Sequence, residues 1–434
     1  MTDAKPVAPP VAGKRKSVWR AFSQPAAWTM FFFGFSSGLP FLLVAGTLAY
    51  WLTENGIELK QITVIASAGM TYALKFLWAP LLDHTRPPVF GRLGLRRGWL
   101  LLAQLLVLVG LVGMSLTTPS MLVPFIACTL LVAFAGATQD IAVDAYRIEI
   151  APVGDQGALV ATYSLGYRVA LILAGALALG FADHMPWPLV YQIMAVAMLI
   201  PIGANLRALE PVAHHALAAG WRDAMRQMFV DPFADFFKRY GVALSLSVLL
   251  FILLFKIPEQ ALVGGIMSPF YLAMGFTKTQ IGAITKVYGI WIGMVGVFAG
   301  GIAVARWGAR APLLAAIVLC ASCNLLYLWL IEHPGNLLVL TAVISGENFM
   351  LGFLGTAAVA FLSSLVNREH TATQYALLSS MVNLPGKVLG VFAGGIVESS
   401  SYGTYFVIAT VAVLPATLLF LWLLPQLKLR VPEA

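Results

Sequence analysis

The segment GATQDIAVDAYRIEI, Gly136 to Ile150, continues the apolar run MLVPFIACTLLVAFA without a break in helical periodicity, yet it carries Asp140, Asp144 and Arg147. Spacings of four and then three put all three on one helix face, where they meet the same neighbours. Lys75, Arg168, Lys256, Glu259, Lys286, Glu347 and Lys387 likewise interrupt apolar runs long enough to cross a bilayer. A charge at the centre of a spanning helix costs about 2.5–3.5 kcal/mol on insertion scales, so those that persist face a bundle interior or a wet cavity. At a rise of about 1.5 Å per residue, Arg168 and Glu347 fall near the midplane and Lys75 somewhat inward of it. Lys256, Glu259, Lys286 and Lys387 fall in the outer half, Asp140 in the inner third, and Asp144 and Arg147 close to the inner surface.

The sign of these charges is informative. Lys75, Arg168, Lys256, Lys286 and Lys387 face only Asp140, Glu259 and Glu347 at comparable depth, and a cavity with surplus positive charge selects an anionic cargo. Lys256 and Glu259 are three apart and can satisfy each other. Arg168 and Lys75 have no local partner, which makes them the leading candidates to bind a carboxylate or phosphate, with Arg suited to bidentate contact. Tyr163 and Tyr167 flank Arg168, Tyr72 and Trp78 flank Lys75, and Tyr288 and Trp291 follow Lys286. Such rings either stack on sugars or anchor and pack helices. Asp140 and Glu347 are the proton-coupling candidates, and for Asp140 a structural ion pair is an equal alternative. Asp144 and Arg147 read as a cytoplasmic gate, paired with the basic loop from Arg92 to Arg97.

The elements that must position these groups are transmembrane helices. The chain has 434 residues, 60% hydrophobic and only 11% charged, with mean hydropathy +0.86, whereas soluble domains are about a quarter charged. Apolar runs of about 20 residues predict spans at 28–52, 61–82, 98–117, 121–146, 157–182 and 187–207. A second six are predicted at 241–273, 279–304, 311–331, 336–365, 372–397 and 402–424, with bends at Pro258 and Pro385. GFSSGLPFL, Gly34 to Leu42, has small residues and Pro40 mid-span, which permits close approach and a broken helix beside a cavity. The expected organisation is a tail 1–27, a six-helix bundle 28–209, a linker 210–240, a second six-helix bundle 241–424 and a tail 425–434. Trp221, Met225, Met228 and Phe229 make the linker amphipathic, fit to lie on a membrane surface.

Of the 27 basic residues, the outer loops of that arrangement hold only Lys60 and Lys278. This bias puts both termini in the cytoplasm. It also spreads the basic excess over many juxtamembrane loops rather than one patch, which excludes a nucleic-acid partner. The first apolar run is too long for a cleaved signal. Cys128, Cys320 and Cys323 lie in predicted spans and frame no disulfide network, and the six histidines fall in loops or the linker. No metal site, cofactor or catalytic triad is expected, so the chain does not read as an enzyme. A monomer is the expected state.

Two halves of six spans resemble transporters whose lobes rock about a central site. APLLDHTRPPVFGRLGLRR after the second span and GGIAVARWGARAP after the eighth occupy equivalent places. Both resemble the cytoplasmic loop G-x-x-x-D-R-x-G-R-R of the major facilitator superfamily. Gly301, Arg306, Gly308 and Arg310 match in the second copy, where Ala305 replaces the acid, while the first keeps Asp83 but has Ala79 for the glycine. Asp83 and Arg306 thereby join the gate candidates. GFSSGLPFLLVAGTL, KFLWAPLLDHTRPPVFGR, ATQDIAVDAYR and SLGYR together are similar to the AmpG-type muropeptide permeases of that superfamily, densely over 28–210. VNLPGK, Asn383 to Lys387, is the clearest echo in the second half. The resemblance carries over Asp83, Gln139, Asp140, Asp144, Tyr167 and Arg168. It implies proton-driven import of N-acetylglucosaminyl-1,6-anhydro-N-acetylmuramyl peptides across a bacterial inner membrane, for cell-wall recycling and beta-lactamase induction. Acetyl-CoA transporters share TQDIAVD, so a carrier of another anion is the alternative. A membrane sensor lacks room for an output domain.

Overall fold

A computed structural model describes residues 22–44, 46–57, 65, 68, 71–87, 89–119, 121–211, 226, 230–257 and 267–430. Helices account for all regular structure among them. The first lobe contains α1 (Pro25–Leu43), α2 (Gly46–Glu54), α3 (Ala79–His84), α4 (Leu95–Leu116), α5 (Leu122–Ile150), α6 (Val153–Ile172), α7 (Trp187–Ala197) and α8 (Leu199–Arg207). After the linker helix α9 (Asp231–Tyr240), the second lobe contains α10 (Val242–Leu254), α11 (Met267–Ala273), α12 (Gly289–Trp307) and α13 (Arg310–Glu332). It closes with α14 (Leu337–Leu365), α15 (Thr371–Ser399), α16 (Tyr402–Val411) and α17 (Val413–Arg430).

Nine helices among the described residues are long and apolar enough to cross a membrane, or ten if the bent pair α9 and α10 counts as one span. The predicted spans 61–82, 241–273 and 372–397 all run over positions or side chains outside the described residues. One local expectation changes. The first helix is not broken at Pro40: α1 stays helical through it and ends at Leu43. The helix gives up one bond at a proline, and here the interruption falls just after it, before Gly46 resumes the span as α2. α15 runs through Pro385, where a bend is expected, as one helix of 29 residues. Pro258 lies outside the described residues.

Each lobe has its own apolar core. Leu39, Leu43, Val107, Phe125, Tyr191 and Met194 build one, and Phe251, Leu313, Phe361 and Phe420 the other. Inside the first lobe α1 and α6 touch backbone to backbone, because a Cβ on Gly34 would strike the Tyr163 carbonyl and one on Gly166 the Phe31 carbonyl. Small residues allow such close crossing where apolar burial alone gives helices no reason to associate. Large apolar side chains such as Val109, Val196, Val295 and Leu418 point outward and are more than half exposed, as a lipid-facing surface requires.

Of the linker, residues 212–225 and 227–229, including Trp221, Met225, Met228 and Phe229, lie outside the described residues. Its described part, α9, buries Pro232, Phe236 and Tyr240 on one face and turns by 107° into α10. Gln374 at the start of α15 holds it, donating to the Pro232 carbonyl at 2.8 Å and to Asp235 at 2.9 Å. At the same end of the molecule, Glu210 caps α4 by accepting from the Arg96 and Arg97 amides at 2.8 and 3.0 Å. Burial pushes the Glu210 carboxyl up, against those amide donors.

Candidate functional site: a cavity between the lobes and its seal

A cavity of about 440 Å³ opens between the lobes, within the range of small-molecule sites. From the first lobe it takes Asp144, Arg147, Tyr163, Ser164 and Arg168, and from the second Lys256, Asn348, Thr356, Tyr375 and Ser379. Arg168 extends across the boundary toward α12, where a Cβ on Gly293 would stand 3.2 Å from its Nη2. Among the described residues no hydrogen bond or ion pair engages the Arg168 guanidinium. A partly buried guanidinium has the chemistry to hold an anion, and Lys256 from the opposite lobe lines the same cavity.

The other sequence candidates divide. Lys75 does not line the cavity. It lies on the short turn Lys75–Leu77 and pairs with Asp144 at 3.5 Å, both side chains largely buried. Lys75 has no local partner, as expected, but the expectation that Asp144 lies too near the inner surface to neutralise it is overturned. Asp144 also meets Arg147 at 3.4 Å. Asp140 is within electrostatic reach of Lys75 and Asp144, and its Oδ1 has no hydrogen-bond donor among the described residues. Tyr167 stands behind Tyr163, ring centroids 6.2 Å apart. Glu347 points away from the cavity into the second lobe, where the Tyr327 hydroxyl donates to it and Tyr271 meets Tyr327 at 3.2 Å. The side chains of Lys286, Asn383 and Lys387 lie outside the described residues, as does Glu259.

The seal lies where α3 meets the start of α15. Asp83 on α3 accepts from the amides of Ala372 and Thr373 at 3.0 and 2.8 Å and from the Thr373 hydroxyl at 2.7 Å. A carboxylate thus caps the first turn of a helix from the other lobe, where free N–H groups and the helix dipole favour it. Arg96 locks Asp83 from behind at 2.7 Å and holds Glu149 as well. Arg147 makes the second crossing. It donates to Gln156 at 2.7 Å and to the Ser363 hydroxyl at 3.0 Å, and stacks 5.1 Å from the Tyr375 ring centroid. These partners differ from those expected: among the described residues Asp83 and Glu149 take Arg96 and the Asn205 and Leu206 carbonyls take Arg97, whereas Asp144 meets Lys75 and Arg147.

A third crossing has no polar side chain. Gly157 on α6 and Gly301 on α12 meet so closely that a Cβ on either would lie 2.7–2.8 Å from the other's carbonyl oxygen.

The Major Facilitator Superfamily model matches this chain over residues 26–260 and 249–433. The chain belongs to that superfamily. It is 36% identical over 406 residues to the anhydromuropeptide permease of Escherichia coli K12, covering 93% of this chain and 80% of the permease. It is 33% identical to the transporter AmpG 4 of Rickettsia conorii, over 94% of this chain and 98% of that one. The superfamily transporter FucP, solved in an outward conformation, matches with a TM-score of 0.66 at 13% identity over 93% of this chain and 99% of its own, a likeness of fold. The AmpG-type resemblance read from the four segments is thereby borne out, and the chain is a multi-pass membrane transporter rather than an enzyme.

Within the superfamily loop pattern the two copies behave differently. Asp83 works as a bolt. Its counterpart Ala305 cannot, and neighbouring Arg306 is exposed, stacked 5.5 Å from the Trp307 ring centroid. On that side the Gly157–Gly301 contact brings the lobes together. Asn348, Ser164, Tyr375, Thr373 and Ser363 went unnoticed in the sequence because neutral polar residues are common on transmembrane helices. The glycine of the loop pattern was the available signal for Gly301.

Proposed function

We propose that this chain imports anhydromuropeptides, N-acetylglucosaminyl-1,6-anhydro-N-acetylmuramyl peptides, from periplasm to cytoplasm through a bacterial inner membrane, driven by protons. The observation that carries the reading is the cavity shared by Arg168 and Lys256, one cation from each lobe. A disaccharide-peptide presents carboxylates to those cations and apolar sugar faces to Tyr163, backed by Tyr167. Lys286, Asn383 and Lys387 complete the proposed cargo contacts. The proposed topology has twelve spans with both ends cytoplasmic, so the Asp83, Asp144, Arg147 and Arg306 face is the inner gate. The working unit is a monomer in lipid.

Coupling follows from charge balance. Lys75 and Arg147 oppose Asp140 and Asp144, a neutral cluster at the inner edge of the cavity. A proton added to Asp140 leaves one positive charge over, which an anionic cargo offsets, so proton and cargo stabilise each other's presence. Glu347, held by Tyr327, is the second proposed proton group. Opening the gate then requires Asp83 to leave the first turn of α15 and Arg147 to leave Ser363.

Uptake of radiolabelled anhydromuropeptide into proteoliposomes, with and without an imposed proton gradient, tests the proposal. Gradient-stimulated accumulation is expected; absence of uptake while acetyl-CoA is carried would replace the cargo.

A further inference from the structure

His84 ends α3 and His370 immediately precedes α15, and their rings meet across the seam with centroids 5.6 Å apart and planes inclined by 52°. His370 is buried, and its Nδ1 has no hydrogen-bond partner among the described residues. Both rings adjoin the bolt: Asp83 precedes His84 in the chain, and Ala372 and Thr373 follow His370. The superfamily pattern has a permanently charged Arg after the acid, and this chain has a titratable ring in that place.

We propose that His84 and His370 form a proton-responsive latch in the gate, which holds the lobes closed with at most one proton on the pair and releases when both are protonated. The surrounding charges set that limit. Asp83 on α3 and Glu149 on α5 face Arg96 on α4, leaving one net negative charge beside His84. Arg86 follows α3 with its side chain exposed to solvent and screened, Lys75 before it is taken by Asp144, and Arg368 and Glu369 directly precede His370 with opposite signs. On the linker helix, Asp235 is shared by Arg239, Gln374 and Asn367. One imidazolium therefore finds a compensating charge at the seam. A second meets the first across 5.6 Å and is repelled. Separating the lobes separates the rings, so the open gate binds more protons than the closed one, and lowering the pH shifts the population toward open.

The test uses the full chain in lipid nanodiscs, with Cys128, Cys320 and Cys323 replaced by Ser and spin labels at Leu209→Cys and Trp307→Cys, one exposed site on each lobe. Distance distributions between about pH 8 and about pH 5.5 bracket the histidine range. The expected result is an open population that grows several-fold on acidification and a response that flattens in His84→Gln and in His370→Gln. An unchanged distribution across that range would overturn the latch, as would a His84→Gln/His370→Gln double variant that responds like the parent. No cargo is present, so the outcome is independent of which solute the chain carries.

Discussion

Asp83 accepts two hydrogen bonds from Thr373, one from the amide at 2.8 Å and one from the hydroxyl at 2.7 Å, across the boundary between the lobes. The carboxylate is fully buried and also paired with Arg96, whose side chain is 1% exposed. Removing one partner of a buried pair leaves the other charge uncompensated, at a cost of about 3–5 kcal/mol. Asp83→Asn therefore loosens the gate by weakening the cap on α15, while Arg96 keeps Glu149 as its remaining carboxylate and the cost falls below that of stranding a charge. Alkylation of Ser164→Cys in the cavity, applied from the face that carries Asp83, should become at least about tenfold faster. A rate equal to that of the parent would mean that Asp83 does not hold the seam.

The glycine crossing yields a prediction of the opposite kind, since it removes no interaction. In Gly157→Val the new side chain collides with the Gly301 carbonyl, which belongs to backbone and cannot rotate aside. Both lobes keep their own cores. The variant should insert and fold normally yet show a wider label separation between the lobes at this face, with uptake reduced by about tenfold or more. Unchanged spin-label distances would show that α6 and α12 yield without cost.

What was legible in advance follows from how strongly each position constrains its surroundings. Arg168 was readable because a cation in an apolar helix must face polar space, and it lines the cavity. Asn348 was not: Glu347 drew attention, but one step along a helix is a turn of about 100°, and that turn gives the cavity to the amide and the Tyr327 side to the acid. The Lys75–Asp144 pair was missed through a linear depth scale. Lys75 opens a turn of 3₁₀ helix, which rises about 2.0 Å per residue rather than 1.5, and α5 continues to Ile150, beyond the expected end of its span. The bolt was half legible. The loop pattern pointed to Asp83, but its partners are backbone amides 289 and 290 residues away, and amides carry no sequence signature.

Arg168 supplies a prediction that separates binding from stability. No hydrogen bond or ion pair holds its guanidinium among the described residues, so Arg168→Ala leaves no carboxylate stranded and eases membrane insertion. Membrane abundance should be unchanged while uptake falls at least about a hundredfold, in line with loss of a charge-assisted contact worth roughly 1.5–3 kcal/mol together with the orientation it provides. Arg168→Lys, which keeps the charge and loses the planar fork, should recover part of the uptake. Full uptake by the Ala variant would remove Arg168 from the cargo site.

Lys75 and Asp144 allow charge pairing to be tested against cargo binding in the same cluster. Their contact is largely buried, so Lys75→Ala alone leaves Asp144 with Arg147 as its remaining partner and adds a net negative charge to the cavity edge. Uptake of an anion should then fall steeply, and the double variant Lys75→Ala/Asp144→Ala, which restores neutrality, should recover a substantial part of it. Asp140→Asn changes the same balance without removing a cation. It fixes the site in the state a proton would produce, so exchange of cargo at equal pH on both sides should persist while gradient-driven accumulation is lost. Equal loss of both processes in Asp140→Asn would make Asp140 a structural or cargo-binding group and transfer the proton to Glu347. Tyr327→Phe, which removes the hydroxyl donor to that acid, would then be the variant whose pH profile moves.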